Sequence, residues 1–123
     1  MQTIIVTGAG SGVGRATAHA FLNAGWKVGL VGRREAPLQE TAEGFEHAMV
    51  LPCDVTDEAQ VAEQFGKAHA TWGRLDALFN NAGVSMKGAP VDELSVDEFR
   101  TLMDVNVTGA FIAARAAFGL MRN

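Results

Sequence analysis

Short apolar runs alternate with amphipathic segments along the whole chain. The run Ile4-Ile5-Val6 predicts a strand at residues 3–7, and the segment from Gly12 to Ala24 that follows has apolar positions at helical spacing. The same pattern recurs and predicts strands at 27–31, 47–51 and 75–80, with helices at 36–43, 57–72 and 95–121. This alternation is typical of an α/β fold with a doubly wound parallel sheet, whose helices cover both faces.

Local signals indicate where the helices begin and which faces they bury. Ser95 and Glu98 form a capping box at the start of the last helix. Thr56 is the predicted cap of the helix that begins at Asp57. The positions predicted to face the core are Val13, Ala16, Ala20, Phe21 and Ala24 in the first helix, and Phe99, Leu102, Asn106, Ala110, Ala113 and Ala117 in the last.

Composition narrows the class of protein. The chain has 123 residues, 48% hydrophobic content and a net charge of −4, which fits one soluble domain and disfavours binding to nucleic acid or an anionic membrane. No apolar stretch approaches the roughly 20 residues that span a bilayer, and the first strand begins near Met1, so neither a membrane segment nor a signal peptide is expected. The single cysteine, Cys53, fits a cytoplasmic protein, and we expect it to be a small buried residue. His19, His47 and His69 lie on different predicted elements, so no metal site is expected.

Residues 7–14, Thr-Gly-Ala-Gly-Ser-Gly-Val-Gly, directly follow the first predicted strand and open the first predicted helix. Glycines allow a tight turn and a close approach of the backbone to phosphate groups, and the N–H groups at the start of the helix stabilise negative charge. A plain turn between a strand and a helix is the alternative interpretation. Because the strand, the helix and the following βαβ alternation are all present, the pattern predicts a site for a dinucleotide pyrophosphate.

Three further polar features lie at the ends of predicted strands or on the last helix. Asp54 follows the third strand, where a carboxylate either accepts a hydrogen bond from an adenine amino group or forms a turn or a cap before the next helix. Asn80-Asn81-Ala82-Gly83 ends the fourth strand, at the edge where ligands bind in open α/β sheets, and it also has the composition of a structural turn. Asn106 lies on the apolar stripe of the last helix, where it either bonds to nearby backbone or holds an ordered water at an active site.

These motifs together resemble the short-chain dehydrogenase/reductase family. The family's Thr-Gly-x-x-x-Gly-x-Gly pattern matches residues 7–14, its adenine-contacting aspartate matches Asp54, its Asn-Asn-Ala-Gly matches residues 80–83, and its helix-borne catalytic asparagine matches Asn106. The order and the spacing of the motifs agree over the whole chain. The resemblance implies a Rossmann-like fold, an oxidoreductase activity and a nicotinamide cofactor.

The resemblance also implies a role for each matching residue. The pyrophosphate would be held by Gly8, Ser11, Gly12, Val13 and Gly14, the adenine by Asp54 and Val55, and the nicotinamide ribose by Asn81, Ala82 and Gly83. Asn106 would be a catalytic residue that anchors a water in a proton relay. The substrate would be a small carbonyl compound or a secondary alcohol, which exchanges a hydride with the nicotinamide.

In this family the end of the second strand selects the cofactor, and an acidic residue there favours NAD by binding the ribose 2′-hydroxyl. This chain has Gly32 at that position, followed by Arg33 and Arg34. Two guanidinium groups without a carboxylate suit a 2′-phosphate, to which arginine makes bidentate charged hydrogen bonds. The alternative is a pair of solvated surface arginines. The pattern predicts NADP(H), with NAD(H) the less favoured cofactor.

The acid and base of the family's reaction have no counterpart in this chain. Members use a Tyr-x-x-x-Lys pair on a later helix, whereas this chain has no tyrosine. We therefore expect residues 1–123 to form the N-terminal, cofactor-binding portion of one Rossmann-like domain, truncated after the fourth strand and the fifth helix, and to be inactive alone. Met86 and Lys87 lie in a loop within reach of a substrate, although an ordinary loop is the simpler interpretation.

The resemblance implies the family's strand order, 3-2-1-4, which leaves the fourth strand with an unpaired apolar edge. Such edges invite pairing with another chain, so we expect self-association. The alternative function is a non-catalytic nucleotide-binding or interaction module, whose partner surfaces would be the last helix and this strand edge.

Overall fold

The fold is built on a parallel four-stranded sheet. The computed structural model describes residues 1–84 and 88–122. The strands are β1 (Thr3–Thr7), β2 (Lys27–Gly32), β3 (Ala48–Pro52) and β4 (Ala77–Phe79), paired in the order β3-β2-β1-β4. Both the parallel pairing and the strand order agree with the prediction from sequence. Only β4 differs clearly from its predicted range, because it is shorter at both ends than residues 75–80.

Within the described residues, the chain forms five α-helices. They are α1 (Gly12–Asn23), α2 (Glu35–Ala42), α3 (Glu58–Trp72), α4 (Val96–Met103) and α5 (Gly109–Met121), with a 3-10 turn at Val91–Glu93. The single helix predicted at 95–121 is interrupted, because a π-helical turn at Asp104–Thr108 separates α4 from α5. Such turns are frequent at functional sites. Among the described residues, no helix combines the length and the apolar character needed to cross a bilayer.

Alternating side chains along the strands create a core on each face of the sheet. On one face, Ile5 and Leu51 pack with the buried residues of α3 and α5, among them Phe65. On the other face, Val6 packs with the buried residues of α1 and α2, among them Leu38. The helices therefore cover both faces, and the doubly wound arrangement predicted from the sequence is confirmed.

Helix α1 buries a different face from the one its apolar pattern predicts. Its buried residues are Gly14, Ala18 and Leu22, whereas Val13 is 65% exposed. Of the predicted stripe, only Phe21 packs against the core. The first turn of α1 lies so close to the preceding loop that only a residue without a Cβ fits there. The inward face is therefore set by a glycine, which contributes nothing to a hydrophobic pattern.

The helix caps agree with the prediction in one case and differ in another. The Ser95 hydroxyl accepts a hydrogen bond from the Glu98 backbone N–H at 3.0 Å, as the capping box predicts. Helix α3 is capped by Asp57, whose carboxylate accepts from the Gln60 N–H at 3.1 Å. The prediction of Thr56 as the cap was wrong, because its N–H and hydroxyl bond instead to the side chain two residues before it.

Candidate functional site

The carboxyl ends of the four strands open onto one cleft, the place where ligands bind in open α/β sheets. Two adjoining hollows of about 130 and 150 Å³ form this cleft, and Gly8, Gly32 and Arg33 line both of them. Four separate segments of the chain contribute residues that the sequence predicted to bind a cofactor, namely Gly8, Ser11, Arg33, Arg34, Asp54, Val55, Ala82 and Gly83. The structure therefore brings these predicted residues together.

The glycine-rich loop joins β1 to α1 and forms one wall of the cleft. Gly8 and Gly12 have φ angles of 67° and 53°, in the left-handed region that favours glycine. Ser11 occupies the N-cap position of α1, and Gly12 and Val13 are its first helical residues. The first turn of α1 contains no acidic residue, so no carboxylate there offsets the partial positive charge of the helix start. The loop and the helix start together favour an anion.

Gly8 and Gly14 pack closely against each other and against Asn81. A Cβ on Gly14 would lie 1.9 Å from the Gly8 carbonyl oxygen and 2.9 Å from the Asn81 Nδ2 atom. A Cβ on Gly8 would lie 3.0 Å from the same Nδ2 atom. The loop, the start of α1 and the turn after β4 are therefore in contact, and a side chain at either glycine would force them apart.

The turn at residues 80–83 is held to β1 by a threonine. Thr7 is fully buried, and its hydroxyl accepts hydrogen bonds from the backbone N–H groups of Asn81 and Ala82 at 2.8 and 2.9 Å. The Asn80 Nδ2 atom donates to the Ala110 carbonyl at 2.8 Å, which ties the turn to α5. The structural role considered for this turn is present, and its role in binding a cofactor stays a prediction.

We expect Thr7→Val to lower the free energy of unfolding by about 2 kcal/mol, because valine keeps the shape of the side chain but leaves two amide groups without their acceptor. Urea unfolding followed by circular dichroism measures the difference. Thr7→Ser keeps the hydroxyl and is the matched control, which should lose much less. If Thr7→Val were as stable as the unmodified chain, the hydroxyl would not be what holds the turn.

Asp54 organises the loop after β3 and also lines the cleft. Its Oδ1 atom accepts from the backbone N–H of Thr56 at 2.9 Å and from the Thr56 hydroxyl at 2.7 Å. These two hydrogen bonds, with the charge of Arg33, hold the pKa of the Asp54 carboxyl below its ordinary value. The carboxyl is therefore ionised at neutral pH, and a turn role and a ligand role are compatible at this position.

Arg33 and Arg34 follow β2 directly and are exposed to solvent. Both line the hollow that also contains Ser11. Within residues 1–84 and 88–122, neither guanidinium group forms an ion pair with a carboxylate. The cleft therefore holds two cationic groups beside the glycine-rich loop.

Asn106 lies in the π-helical turn and is exposed, so the prediction that it lies on a buried stripe was wrong. Phe99 is also 49% exposed, whereas Ala113 and Ala117 are buried as predicted. The π-helical turn is wider than an α-helical turn, so the buried face of α5 is rotated relative to the face that the apolar spacing of α4 would continue. The Asn106 Oδ1 atom accepts from the Val84 N–H at 2.7 Å, and its Nδ2 atom donates to the Val84 carbonyl at 2.9 Å. Bonding to nearby backbone is thus present, and the catalytic role stays a prediction.

Besides Gly10 and Gly32, which belong to the predicted motifs, six residues that line the cleft were not among the predicted site residues: Val31, Pro37, Leu38, Cys53, Val84 and Val105. Cys53 was predicted only as a small buried residue, and its 3% exposure confirms the burial. The position of Cys53 directly before Asp54, at a strand end, is the signal that could have identified it. Val84 and Val105 carry no such signal, because they reach the cleft only when the π-helical turn meets the segment after β4.

Burial raises the pKa of the Cys53 thiol from 9.0 to about 11, and the neighbouring Asp54 and Asp57 carboxylates add to the rise. Because the thiol is harder to ionise in the folded chain, its contribution to stability is fully present below about pH 9 and is lost as the pH rises toward 11. We expect the difference in unfolding free energy between the unmodified chain and Cys53→Ser to be constant up to pH 9 and to fall above it. Urea unfolding at a series of pH values measures this difference. A difference in unfolding free energy that stays constant to pH 11 would contradict the raised pKa of Cys53.

Two further predictions concern metals and the loop before α4. Within the described ranges, no group of three His, Cys, Asp or Glu side chains is arranged to hold a metal ion. Met86 and Lys87, which the sequence places within reach of a substrate, lie outside the residues that the structure describes.

The family assignment rests on the whole length of the chain. The model of the short chain dehydrogenase family matches residues 2–123. The chain belongs to this family, and the resemblance seen in its sequence motifs is confirmed.

Individual relatives agree with this assignment in sequence and in structure. A 2,5-dichloro-2,5-cyclohexadiene-1,4-diol dehydrogenase from Sphingobium indicum is 38% identical over 115 residues, which are 93% of this chain and 46% of that protein. The 3-ketoacyl-(acyl-carrier-protein) reductase from Brucella melitensis, in a crystal structure complexed with NADH, superposes with a TM-score of 0.93 at 32% identity, over 97% of this chain and 49% of that one. A citronellol catabolism dehydrogenase from Pseudomonas aeruginosa gives a TM-score of 0.87 at 38% identity, over 98% of this chain and 50% of that one. The chain therefore spans about half the length of these relatives.

Proposed function

We propose that this chain is the cofactor-binding portion of an NADP(H)-dependent oxidoreductase. The observation that carries the proposal is the convergence of the glycine-rich loop, the Arg33–Arg34 pair, Asp54 and the turn at residues 80–83 on one cleft. An anion-accepting loop, two cations and a carboxylate are the groups that a phosphorylated dinucleotide needs. The NADH complex of the Brucella melitensis reductase supports a nicotinamide cofactor here.

The proposed contacts follow the order of the segments around the cleft. The pyrophosphate lies on Gly8, Ser11, Gly12, Val13 and Gly14, the adenine lies against Asp54 and Val55, and the nicotinamide ribose lies near Asn81, Ala82 and Gly83. The close packing of Gly8 against Gly14 supports the first of these assignments, because it keeps the loop free of side chains. The ionised Asp54 carboxyl supports the second, because an adenine amino group needs an acceptor.

The preference for NADP(H) over NAD(H) rests on the arginine pair. Arg33 and Arg34 line the hollow next to the loop, and Gly32 stands at the end of β2 where a carboxylate would favour NAD(H). A 2′-phosphate would accept charged hydrogen bonds from both guanidinium groups. A 2′-hydroxyl would gain little from them.

The chain supplies binding groups but lacks the proton donor of the family's reaction. The bound nicotinamide would supply or accept the hydride for a small carbonyl compound or a secondary alcohol. Asn106, as a residue that anchors a water, would serve a proton relay whose tyrosine and lysine this chain does not contain. We therefore propose that residues 1–123 alone bind the cofactor and do not turn over a substrate.

Self-association is the second part of the proposal. Six large apolar side chains are exposed on α4, the π-helical turn and α5, namely Val96, Phe99, Met103, Val107, Phe111 and Phe118. Contiguous exposed apolar surface is typical of interaction sites, and these side chains lie along one continuous helical segment. Sedimentation velocity at rising protein concentration tests for the association.

Calorimetric titration of the chain with NADPH and with NADH tests the proposed function. We expect saturable binding of both, with the lower dissociation constant for NADPH. No oxidation of NADPH should occur when simple ketones and aldehydes are added. Absence of saturable binding by either dinucleotide would contradict the proposal, and turnover would contradict its statement that the chain is inactive alone.

A further inference from the structure

Helix α2 packs directly on the glycine-rich loop. A Cβ on Gly10 would lie 2.8 Å from the Pro37 Cβ atom, so the loop and the first turn of α2 are in close contact. Ala9 is fully buried, and its N–H donates to the Val31 carbonyl at 3.1 Å. The conformation of the loop therefore depends on α2 and β2, and not only on its own glycines.

Thr41, in the last turn of α2, is the polar centre of this contact. It is fully buried, and its hydroxyl donates to the Ala9 carbonyl at 2.8 Å, with the Pro37 carbonyl as a second acceptor at 3.1 Å. The Arg15 Nε atom donates to the same hydroxyl oxygen at 3.0 Å. The hydroxyl thus joins the loop, α1 and α2 through one atom.

Arg15 makes a second connection to the loop from α1. Its Nη2 atom donates to the Gly10 carbonyl and lies 3.4 Å from a Glu40 carboxylate oxygen. Two successive carbonyls of the loop, those of Ala9 and Gly10, are therefore each held by a side chain.

We propose that Thr41, with Arg15, is a positioning residue that sets the phosphate-binding conformation of the glycine-rich loop. A trans peptide is planar, so the direction of a carbonyl fixes the direction of the N–H that follows it. Holding the Ala9 carbonyl fixes the N–H of Gly10, and holding the Gly10 carbonyl fixes the N–H of Ser11. Gly10 and Ser11 line the same hollow as Arg33 and Arg34.

This inference rests on the proposed cofactor binding but has a test that needs no cofactor. Thr41→Val keeps the shape of the side chain and removes the hydroxyl, whereas Thr41→Ser keeps the hydroxyl. Thr71→Val is the matched control, since the Thr71 hydroxyl is exposed and donates to the Lys67 carbonyl within α3, away from the loop. Arg15→Met is a second variant that removes the contact to Gly10 from a side chain that is 37% exposed, so a well-folded product is expected.

Amide hydrogen exchange of the folded chain without ligand is the first measurement. We expect the amide of Ala9, which donates to the Val31 carbonyl, to exchange at least tenfold faster in Thr41→Val and Arg15→Met than in the unmodified chain, while those of α3 stay unchanged. Thr41→Ser and Thr71→Val should match the unmodified chain in the loop. Unchanged exchange in the loop of Thr41→Val and Arg15→Met would overturn the inference.

The dissociation constants of NADPH and of 2′-AMP, which has no pyrophosphate, are the second measurement. We expect Thr41→Val to raise that of NADPH about tenfold and that of 2′-AMP less than twofold, since only NADPH contacts the loop through a pyrophosphate. An equal loss for both ligands would overturn the positioning role, because it would indicate a general loss of structure. If the unmodified chain bound neither ligand, the proposed function would fail, and the exchange measurement alone would decide the role of Thr41.

Discussion

Gly14→Ala should lower the free energy of unfolding by about 3 kcal/mol and weaken NADPH binding at least tenfold. The new Cβ would lie 1.9 Å from the Gly8 carbonyl oxygen and 2.6 Å from its carbonyl carbon. Both are backbone atoms, so the clash cannot be relieved by rotating a side chain. The start of α1 would have to move away from the loop that contains Gly8. The contact between α1 and the turn that contains Asn81 would be disturbed as well.

Urea unfolding measures the loss of stability, and calorimetric titration with NADPH measures the loss of affinity. Gly66→Ala is the matched control, because Gly66 lies inside α3 and a Cβ there would meet no atom within 4 Å apart from the backbone of its own helix and its chain neighbours. Alanine favours a helix more than glycine does, so this variant should be about 1 kcal/mol more stable and should bind NADPH normally. A Gly14→Ala variant with unchanged stability and affinity would contradict the close packing of Gly14 against Gly8.

The double variant Arg33→Ala/Arg34→Ala should raise the dissociation constant of NADPH about 100-fold and change that of NADH less than threefold. Each guanidinium group is exposed and would contribute about 1.4 kcal/mol through charged hydrogen bonds to the 2′-phosphate. NADH has a hydroxyl at that position and should lose little. The result would be a chain that no longer prefers NADPH.

Removing two positive charges also weakens the binding of every anion, so the control variant must remove the same charge at another place on the surface. Arg100→Ala/Arg122→Ala removes two exposed arginines of α4 and of the end of α5, outside the cleft. It should weaken the binding of both dinucleotides only slightly, with a somewhat larger effect on the more highly charged NADPH, and added salt should reduce that effect. If Arg33→Ala/Arg34→Ala weakened the binding of NADPH and of NADH to the same degree, the two arginines would not bind the 2′-phosphate.

The parts of the structure that the sequence predicts well are those with local causes. A strand, a glycine-rich turn and a helix each follow from neighbouring residues, whereas the strand order was implied by the family resemblance. Because parallel strands end at the same edge, residues that follow different strands, such as Arg33 and Asp54, were expected to meet at one cleft. That convergence is what the structure shows.

The features that were not predicted have causes distant in the sequence. The exposure of Asn106 depends on a π-helical turn, and nothing in the apolar spacing of 95–121 indicates one. The inward face of α1 depends on the approach of Gly14 to Gly8, which becomes visible only when α1 is placed on the sheet. Thr41 looks like an ordinary helical residue until α2 is seen packed against the loop. In each case the determining contact joins residues from different elements.

Mapping the binding of NADPH residue by residue tests the central claim most directly. In a ¹H–¹⁵N correlation spectrum of the labelled chain, we expect NADPH to shift the amide signals of the glycine-rich loop, of Arg33 and Arg34, of Asp54 and Val55, and of the turn at 81–83. NADH should shift the same set except for those of Arg33 and Arg34, which should move less. Shifts confined to α4 and α5, or no saturable shifts, would contradict the claim that this cleft is a dinucleotide site.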